Sequence, residues 1–363
     1  MAEVERLDVA AYTIPTDKPE SDGTLAWDST TVVVVEAHGG GEVGLGYTYG
    51  HAAIASIVSS QLAGAAVGTD VLAPSAAWAA MTRAVRNTLA SGLCGYAISA
   101  VDVALHDLKA RLLGVALADL LGRWHDGVSI YGSGGFTSYS LEDLRAQAAG
   151  WMELGLGAVK IKVGRDAAAD PARLDAIREV IGDDVRLMVD ANGAFTPAGA
   201  LAEAHGTYAD HGATWLEEPV SSDDHEGLRR VRDGVPAGIE VAAGEYGSDV
   251  FHFARLLAAG SVDVLQADVT RCGGITGVLR ADALAKAHGL PLSAHCAPSL
   301  SAHAFAACET AVHCEYFHDH VRLEPMLFDG VPAPRAGRLV PDPARPGLGL
   351  ELRRADAERH RVA

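Results

Sequence analysis

The sequence predicts an α/β chain in which a small α+β unit precedes a closed parallel barrel, and three observations predict it. Eight short β-rich runs, VSIYGS, AVKIKV, VRLMVD, ATWLEE, IEVAAGE, VDVLQAD, PLSAH and AVHCEY, are separated by helical patterns such as DPARLDAIREVIG and ITGVLRADALAKAHG. Alternation of this kind implies parallel strands with helical crossovers, and eight of them suggest closure into a barrel. Seven of the runs carry an ionisable residue at or near their end. The 363 residues also exceed one small core and fit a domain of about a hundred residues plus a barrel-sized one.

The first unit is placed at residues 1–125. VERLDVAAYT, TTVVVVEA and EVGLGYTYG read as a three-stranded meander, with HGGG turning between the second and third strands. Helical patterns follow and end in YAISAVDVALHDLKARLLGVALADLLG, where apolar residues recur at three and four and Gly114 and Gly122 stop the turns. The barrel is placed at 126–327. The Pro- and Gly-rich segment 328–363 is read as returning to cover the first unit.

The last polar residues of the runs are Lys162, Asp190, Glu217, Glu245, Asp268, His295 and Glu315, spaced by 20 to 28 residues, about one strand and helix each. In a parallel barrel the C-terminal strand ends share one mouth, so seven ionisable groups are expected to converge there. A single acid at a strand end is commonly a helix N-cap; seven in succession are not explained that way. Charges so buried need a partner, a ligand or a shifted pKa.

Asp190, Glu217 and Glu245 come from three consecutive strands, and three carboxylates without thiolate or imidazole favour a hard cation such as Mg²⁺. Glu218, alternating with Glu217, is expected to point into the barrel wall. Asp268 and His295 end neighbouring strands and suit an acid–base dyad. The absence of GxSxG argues against a serine triad. His313, His318 and His320 are read as loop and surface histidines, since their spacing fits no standard ligand set. The chain has only five lysines, yet Lys160 and Lys162 stand two apart on one strand, facing the same way.

Composition excludes other classes. A net charge of −18 with no basic cluster argues against nucleic acid. No signal-like start and no spanning apolar run argue against a membrane and for a cytoplasmic protein. Five cysteines without CxxC spacing indicate neither a disulfide framework nor a zinc knuckle, and most are read as small buried hydrophobes.

Taken in order and at barrel spacing, KIK at Lys160 to Lys162, VDAN with Asp190, WLEEP with Glu217, AAGE with Glu245, QAD with Asp268, SAH with His295 and CEY with Glu315 resemble the enolase superfamily and, within it, the mandelate racemase group. The segment VDVALHDLKARLLG resembles a helix of the same family. The resemblance spans nearly the whole chain. It implies a (β/α)7β TIM-like barrel with an N-terminal α+β capping domain completed by the C-terminal segment. It also implies Mg²⁺ on Asp190, Glu217 and Glu245, with Lys162 and His295 as bases on opposite faces of the substrate carbon. Asp268 would orient His295, and Lys160 and Glu315 would assist at the substrate carboxylate. Trp27 and Asn192 are expected to contact substrate. VDVLQADV lacks the sixth-strand lysine of the muconate-lactonizing group, which favours the racemase-type group.

The implied chemistry is removal of the proton α to a carboxylate, through an enediolate that needs a metal and fixed donors. Lys160 and the cation are expected to lower the pKa of Lys162. The favoured outcome is dehydration of an acid sugar, an aldonate or aldarate, to a 2-keto-3-deoxy acid. The alternatives are racemisation or epimerisation of a 2-hydroxy acid and cycloisomerisation of a sugar-acid lactone. A noncatalytic metal-binding barrel and a metal-dependent aldolase are more remote. IPTDKPESDGTLAWDS, residues 14–29, is expected to be a loop that closes over the mouth. A homo-oligomer is expected by analogy with the family.

Overall fold

In the computed structural model, which describes residues 2–89 and 91–363, the meander is an antiparallel sheet of β1 (Arg6–Ser21), β2 (Ala26–Gly39) and β3 (Glu42–Tyr49). Its first two strands run further than the sequence suggests. Thr13, Ile14 and Pro15 pair with Thr31, Thr30 and Ser29, and pairing resumes at Glu20 with Trp27 and Ser21 with Ala26. The expected loop 14–29 is therefore mostly the outer half of a β-hairpin, with a short turn at 22–25. The Thr-rich stretch supplies β propensity there, and Pro15 and Pro19 sit on the irregular part of an edge strand, where a missing donor is tolerated.

Helix Leu93–Leu113 crosses this sheet, capped by left-handed Gly114 as the sequence predicts. It lies close because β3 presents glycine at alternate positions. A Cβ at Gly44 would stand 2.2 Å from the Ala104 carbonyl oxygen, and one at Gly46 would stand 2.2 Å from that of Ala100. Asp107, on the same helix, accepts from the backbone N–H groups of Leu45 and Leu348. One buried carboxylate thus joins β3, the helix and the C-terminal segment. Arg111 adds bonds to Glu351 and the Leu350 carbonyl, and Val362 donates to Ala11 of β1.

Eight parallel strands form the barrel: β4 (Val128–Gly134), β5 (Ala158–Lys162), β6 (Arg186–Asp190), β7 (Ala213–Glu217), β8 (Glu240–Ala243), β9 (Val264–Ala267), β10 (Leu292–Ala294) and β11 (Ala311–Phe317). Each pairs with the next, and β11 pairs with β4 to close the ring. Alternation divides the side chains. Val159, Ile161, Val189, Leu216 and Val241 join the large core outside the ring. Tyr131, Met188, Trp215, Ala242 and Val264 form a separate apolar layer, the filling expected of a barrel interior. Two of the histidines read as surface groups belong instead to packed regions: His313 is buried beside Tyr131 and Trp215, and His320 is buried and stacked on Tyr49. Their aromatic faces fill packing positions, which ligand spacing alone does not reveal.

The sheet unit meets the barrel through polar contacts in otherwise apolar surroundings. Thr276 donates twice to Asp102, Thr48 donates to the Thr270 carbonyl, and Tyr47 and Ser299 both donate to Glu324. Among the described residues no helix is long and apolar enough to cross a membrane. Because the close approach at β3 leaves no room for a methyl group, Gly46→Ala is expected to lower stability by about 1–3 kcal/mol. Thermal melts check this, with Gly64→Ala, whose Cβ would meet nothing within 4 Å, as the control that does not lose stability.

Candidate active site

Register brings the mouth residues to one level. Lys162 pairs with Asp190 and Asp190 with Glu217 across adjacent parallel strands, so their side chains leave the ring together. Glu245 follows β8 after Gly244, whose φ of +130° turns the chain at the strand end. A Cβ there would also meet the Gln266 carbonyl at 2.3 Å, so glycine is required for the turn. Asp190, Glu217 and Glu245 each offer an oxygen within 4.8 Å of the others, and all three are buried.

The lysines face these acids. Lys160, fully buried, donates to Glu217 at 2.5 Å and lies 2.8 Å from Glu315 and 3.7 Å from Asp190. Lys162 donates to Asp190 at 2.5 Å. Without the cation, the pKa of Lys162 is raised, so the expected depression depends on the metal's charge as well as on Lys160. Burial and Lys160 act to lower it, but Asp190, in direct contact, outweighs them and raises it. The sequence placed the like charge correctly and missed the carboxylate between the two ammonium groups.

The opposite side of the mouth holds the second group. His295 Nδ1 lies 2.7 Å from Asp268 Oδ2, leaving Nε2 toward Glu245 at 3.4 Å and Glu315 at 3.5 Å. Burial works against the imidazolium, but Glu245 and Glu315 raise its pKa. Asp268 is held in place by the N–H and hydroxyl of Thr270. Burial of Glu217 among Asp190, Glu315 and Glu245 pushes its carboxyl up to about 8 despite Lys160. Glu315 goes the other way: burial opposes ionisation, but Lys160 and His295 hold it well below the usual carboxylate range.

Glu218 departs from the expected orientation. Its φ is +36° and β7 ends one residue earlier, so strand alternation no longer governs it. Burial and the charges of Glu245 and Asp190 push its carboxyl well up, and one of its oxygens is buried without a donor. It belongs to the mouth and not to the wall. Asn192, also at positive φ, donates its backbone N–H to Asp190, and its side-chain oxygen is buried without a partner. Trp27 lies on β2 in the hairpin. Its indole donates to Glu20 and its ring meets Phe136 edge-on at 5.5 Å.

Two residues went unnoticed in the sequence. Arg271 lies 3.1 Å from Glu245 and 3.2 Å from Asp268, between the rings of Tyr96 and Tyr246. Its signal was the three-residue step from Asp268 in ADVTR, which places it in the turn beyond β9. Cys296, at positive φ, puts its sulfur 3.4 Å from His295 Nε2 and 3.3 Å from Glu315.

Counted together, six carboxyl groups (Asp190, Glu217, Glu218, Glu245, Asp268, Glu315) face three basic side chains (Lys160, Lys162, Arg271) and one imidazole, all but Arg271 buried. The excess of acid, an all-oxygen donor set and the unpartnered Glu245 oxygen fit a hard divalent cation such as Mg²⁺. The hairpin turn closes over this mouth. Gly23 is packed so tightly that a Cβ would meet the Ala191 and Val163 carbonyl oxygens at 2.3 and 2.9 Å. Arg165 donates to the carbonyls of Asp22 and Leu25, and Thr24 to that of Asn192.

Comparison with known proteins agrees with this geometry. Residues 9–122 match the mandelate racemase/muconate lactonizing enzyme N-terminal domain, and residues 143–357 match the enolase C-terminal domain-like family. A crystal structure of a mandelate racemase/muconate lactonizing enzyme-like protein from Rubrobacter xylanophilus superposes with a TM-score of 0.97 at 57% identity, covering 99% of both chains. The 3,6-anhydro-alpha-L-galactonate cycloisomerase of Streptomyces coelicolor is 34% identical over 97% of each chain. L-talarate/galactarate dehydratase from Salmonella typhimurium LT2, crystallised with Mg and L-lyxarohydroxamate, gives a TM-score of 0.92 at 28% identity, covering 100% of this chain and 93% of that one.

The charge network makes its own prediction. In metal-free protein, Lys160→Met leaves Glu217 and Glu315 without their cation and is expected to cost about 3–5 kcal/mol at pH 8. The loss shrinks at pH 5, where Glu315, no longer held ionised by Lys160, takes up a proton. Thermal melts of both proteins at the two pH values measure the difference.

Proposed function

This chain belongs to the mandelate racemase/muconate lactonizing enzyme family of the enolase superfamily, and on that premise we propose that it removes the proton α to the carboxylate of an acid sugar and expels the β-oxygen. The observation that carries this reading is the pair of proton carriers on opposite sides of one mouth: Lys162 on β5, and His295 held by Asp268 beyond β10. Mg²⁺ is the cofactor; Asp190, Glu217 and Glu245 would hold it, and when bound it would supply Lewis-acid stabilisation of charge on the substrate carboxylate.

The protein's own groups do the rest. Lys162, released from Asp190 and having given up one proton to solvent, takes the α-proton as a neutral amine and becomes ammonium, and Lys160, anchored by Glu217 and Glu315, stays protonated to face the developing negative charge. The electron pair left at the α-carbon forms the enediolate and then expels the β-oxygen, which His295 protonates. Asp268 keeps Nδ1 engaged so that Nε2 delivers the proton. Asn192 and Trp27 are assigned to substrate contact, the first through its unpartnered amide oxygen and the second from the hairpin.

If the expelled oxygen is a free hydroxyl, water leaves and the product is a 2-keto-3-deoxy acid; this is our principal reading. If that oxygen closes a ring in the substrate, the same step opens the ring without loss of water, which is cycloisomerisation. Near end-to-end similarity to a cycloisomerase keeps this second reading. Acid sugars and their lactones or anhydro forms, incubated with Mg²⁺ in heavy water, separate the two by product mass. Neither α-deuterium exchange nor product across the set would overturn both.

Lys162→Ala and His295→Asn are each expected to lower kcat by about 10²–10⁴-fold. In the His295 variant, α-exchange catalysed by Lys162 should persist while β-elimination fails. Exchange lost equally in both variants would contradict the division of roles.

A further inference from the structure

A second cluster of donor atoms lies outside the mouth, where the hairpin meets the barrel. Asp17 and Glu20 on β1 and His318, which opens helix His318–Leu327 after β11, each offer a donor atom within 4.8 Å of the others. We propose that these three residues bind a second divalent cation, a borderline transition ion such as Zn²⁺, which ties the hairpin to the barrel.

Glu20 carries the argument. It is 1% exposed; one carboxylate oxygen accepts the Trp27 indole N–H, and the other is buried without a donor. A buried carboxylate oxygen with no partner is costly. No nearby cation bonds this oxygen: Lys18 pairs with Asp143, and Arg322 directs its terminal nitrogen to Asp319 and the Pro15 carbonyl, its buried Nε bonding nothing. Burial, with the added charge of Asp319, pushes the Glu20 carboxyl up to about 8. A cation is the partner that this oxygen lacks.

The donor chemistry selects the ion. One imidazole nitrogen with carboxylate oxygens suits Zn²⁺ or a similar ion, whereas the all-carboxylate mouth suits Mg²⁺. Tetrahedral ligands at about 2.1 Å from zinc stand roughly 3.4 Å apart. His318 Nε2 and Asp17 already stand 3.2 Å apart. Both border a surface cleft of about 490 Å³ that gives an ion access from solvent. Glu20 pairs across the hairpin with Trp27, just before the turn over the mouth, so an ion here would hold that turn down.

Equilibrium dialysis of Zn²⁺ against wild type, His318→Gln, Glu20→Gln and Asp190→Asn tests the site in resting protein without substrate. Wild type should bind one equivalent more than either His318→Gln or Glu20→Gln, and Asp190→Asn should keep that equivalent. Backbone hydrogen exchange at residues 22–25 should slow on adding Zn²⁺ to Asp190→Asn, and not when His318→Gln is added to that background. Circular dichroism confirms that each variant is folded. Equal Zn²⁺ binding in wild type and in both His318→Gln and Glu20→Gln, or exchange indifferent to Zn²⁺, would overturn the proposal. Neither result bears on the chemistry at the mouth.

Discussion

Two ammonium groups buried against a surplus of carboxylates form the interaction on which this structure depends. Lys160 and Lys162 lie beside Asp190, Glu217 and Glu315 in a space closed to bulk water. Like charges that would be untenable alone become tolerable because each is shared between acids. The surplus has a second consequence. With Glu218, Glu245 and Asp268 added, the mouth holds more carboxyl groups than its lysines, Arg271 and His295 can balance in ionised form, so burial keeps Glu217 and Glu218 protonated and a divalent cation would favour their ionisation. Without that ion Lys162 is bound to Asp190 and is a poor base; with the acids engaged elsewhere, it is free to accept a proton.

The scaffold exists to hold this network at one level. Parallel register sets Lys162, Asp190 and Glu217 side by side, while an apolar layer around Tyr131, Met188 and Trp215 supports the lysines from below. Tyr131 lies 5.3 Å from the Lys160 ammonium and so contributes its ring face as well as its bulk. The sheet unit, locked to the barrel through Asp102 and Glu324, sends the hairpin of β1 and β2 over the mouth. The hairpin turn therefore packs against the loops beyond β5 and β6, over the strand ends that carry the charged cluster.

Much of this was legible in the sequence because it is periodic. Eight β-rich runs with a polar residue closing seven of them place the barrel and its mouth, and the order KIK, VDAN, WLEEP, AAGE, QAD, SAH, CEY resembles one superfamily. What was not legible depended on local geometry. Glu218 turned toward the mouth because the strand ends at Glu217, and alternation holds only within a strand. The direction of the Lys162 shift depended on Asp190 reaching between the lysines, which no spacing reveals. His313 and His320 were misplaced because imidazole packs as an aromatic when its nitrogens are satisfied. The hairpin was taken for a loop because its prolines and charges obscure a pairing made with a partner strand.

The central claim is that Asp190, Glu217 and Glu245 hold the cation, and anomalous scattering from crystals soaked in Mn²⁺ tests it most directly. The account predicts a strong peak bounded by those three carboxylates, with the Lys162 ammonium displaced from Asp190. His295, Cys296 and Glu315 also bring donor atoms within 4.8 Å of one another. A peak among those residues, or none between the three carboxylates at saturating Mn²⁺, would contradict it.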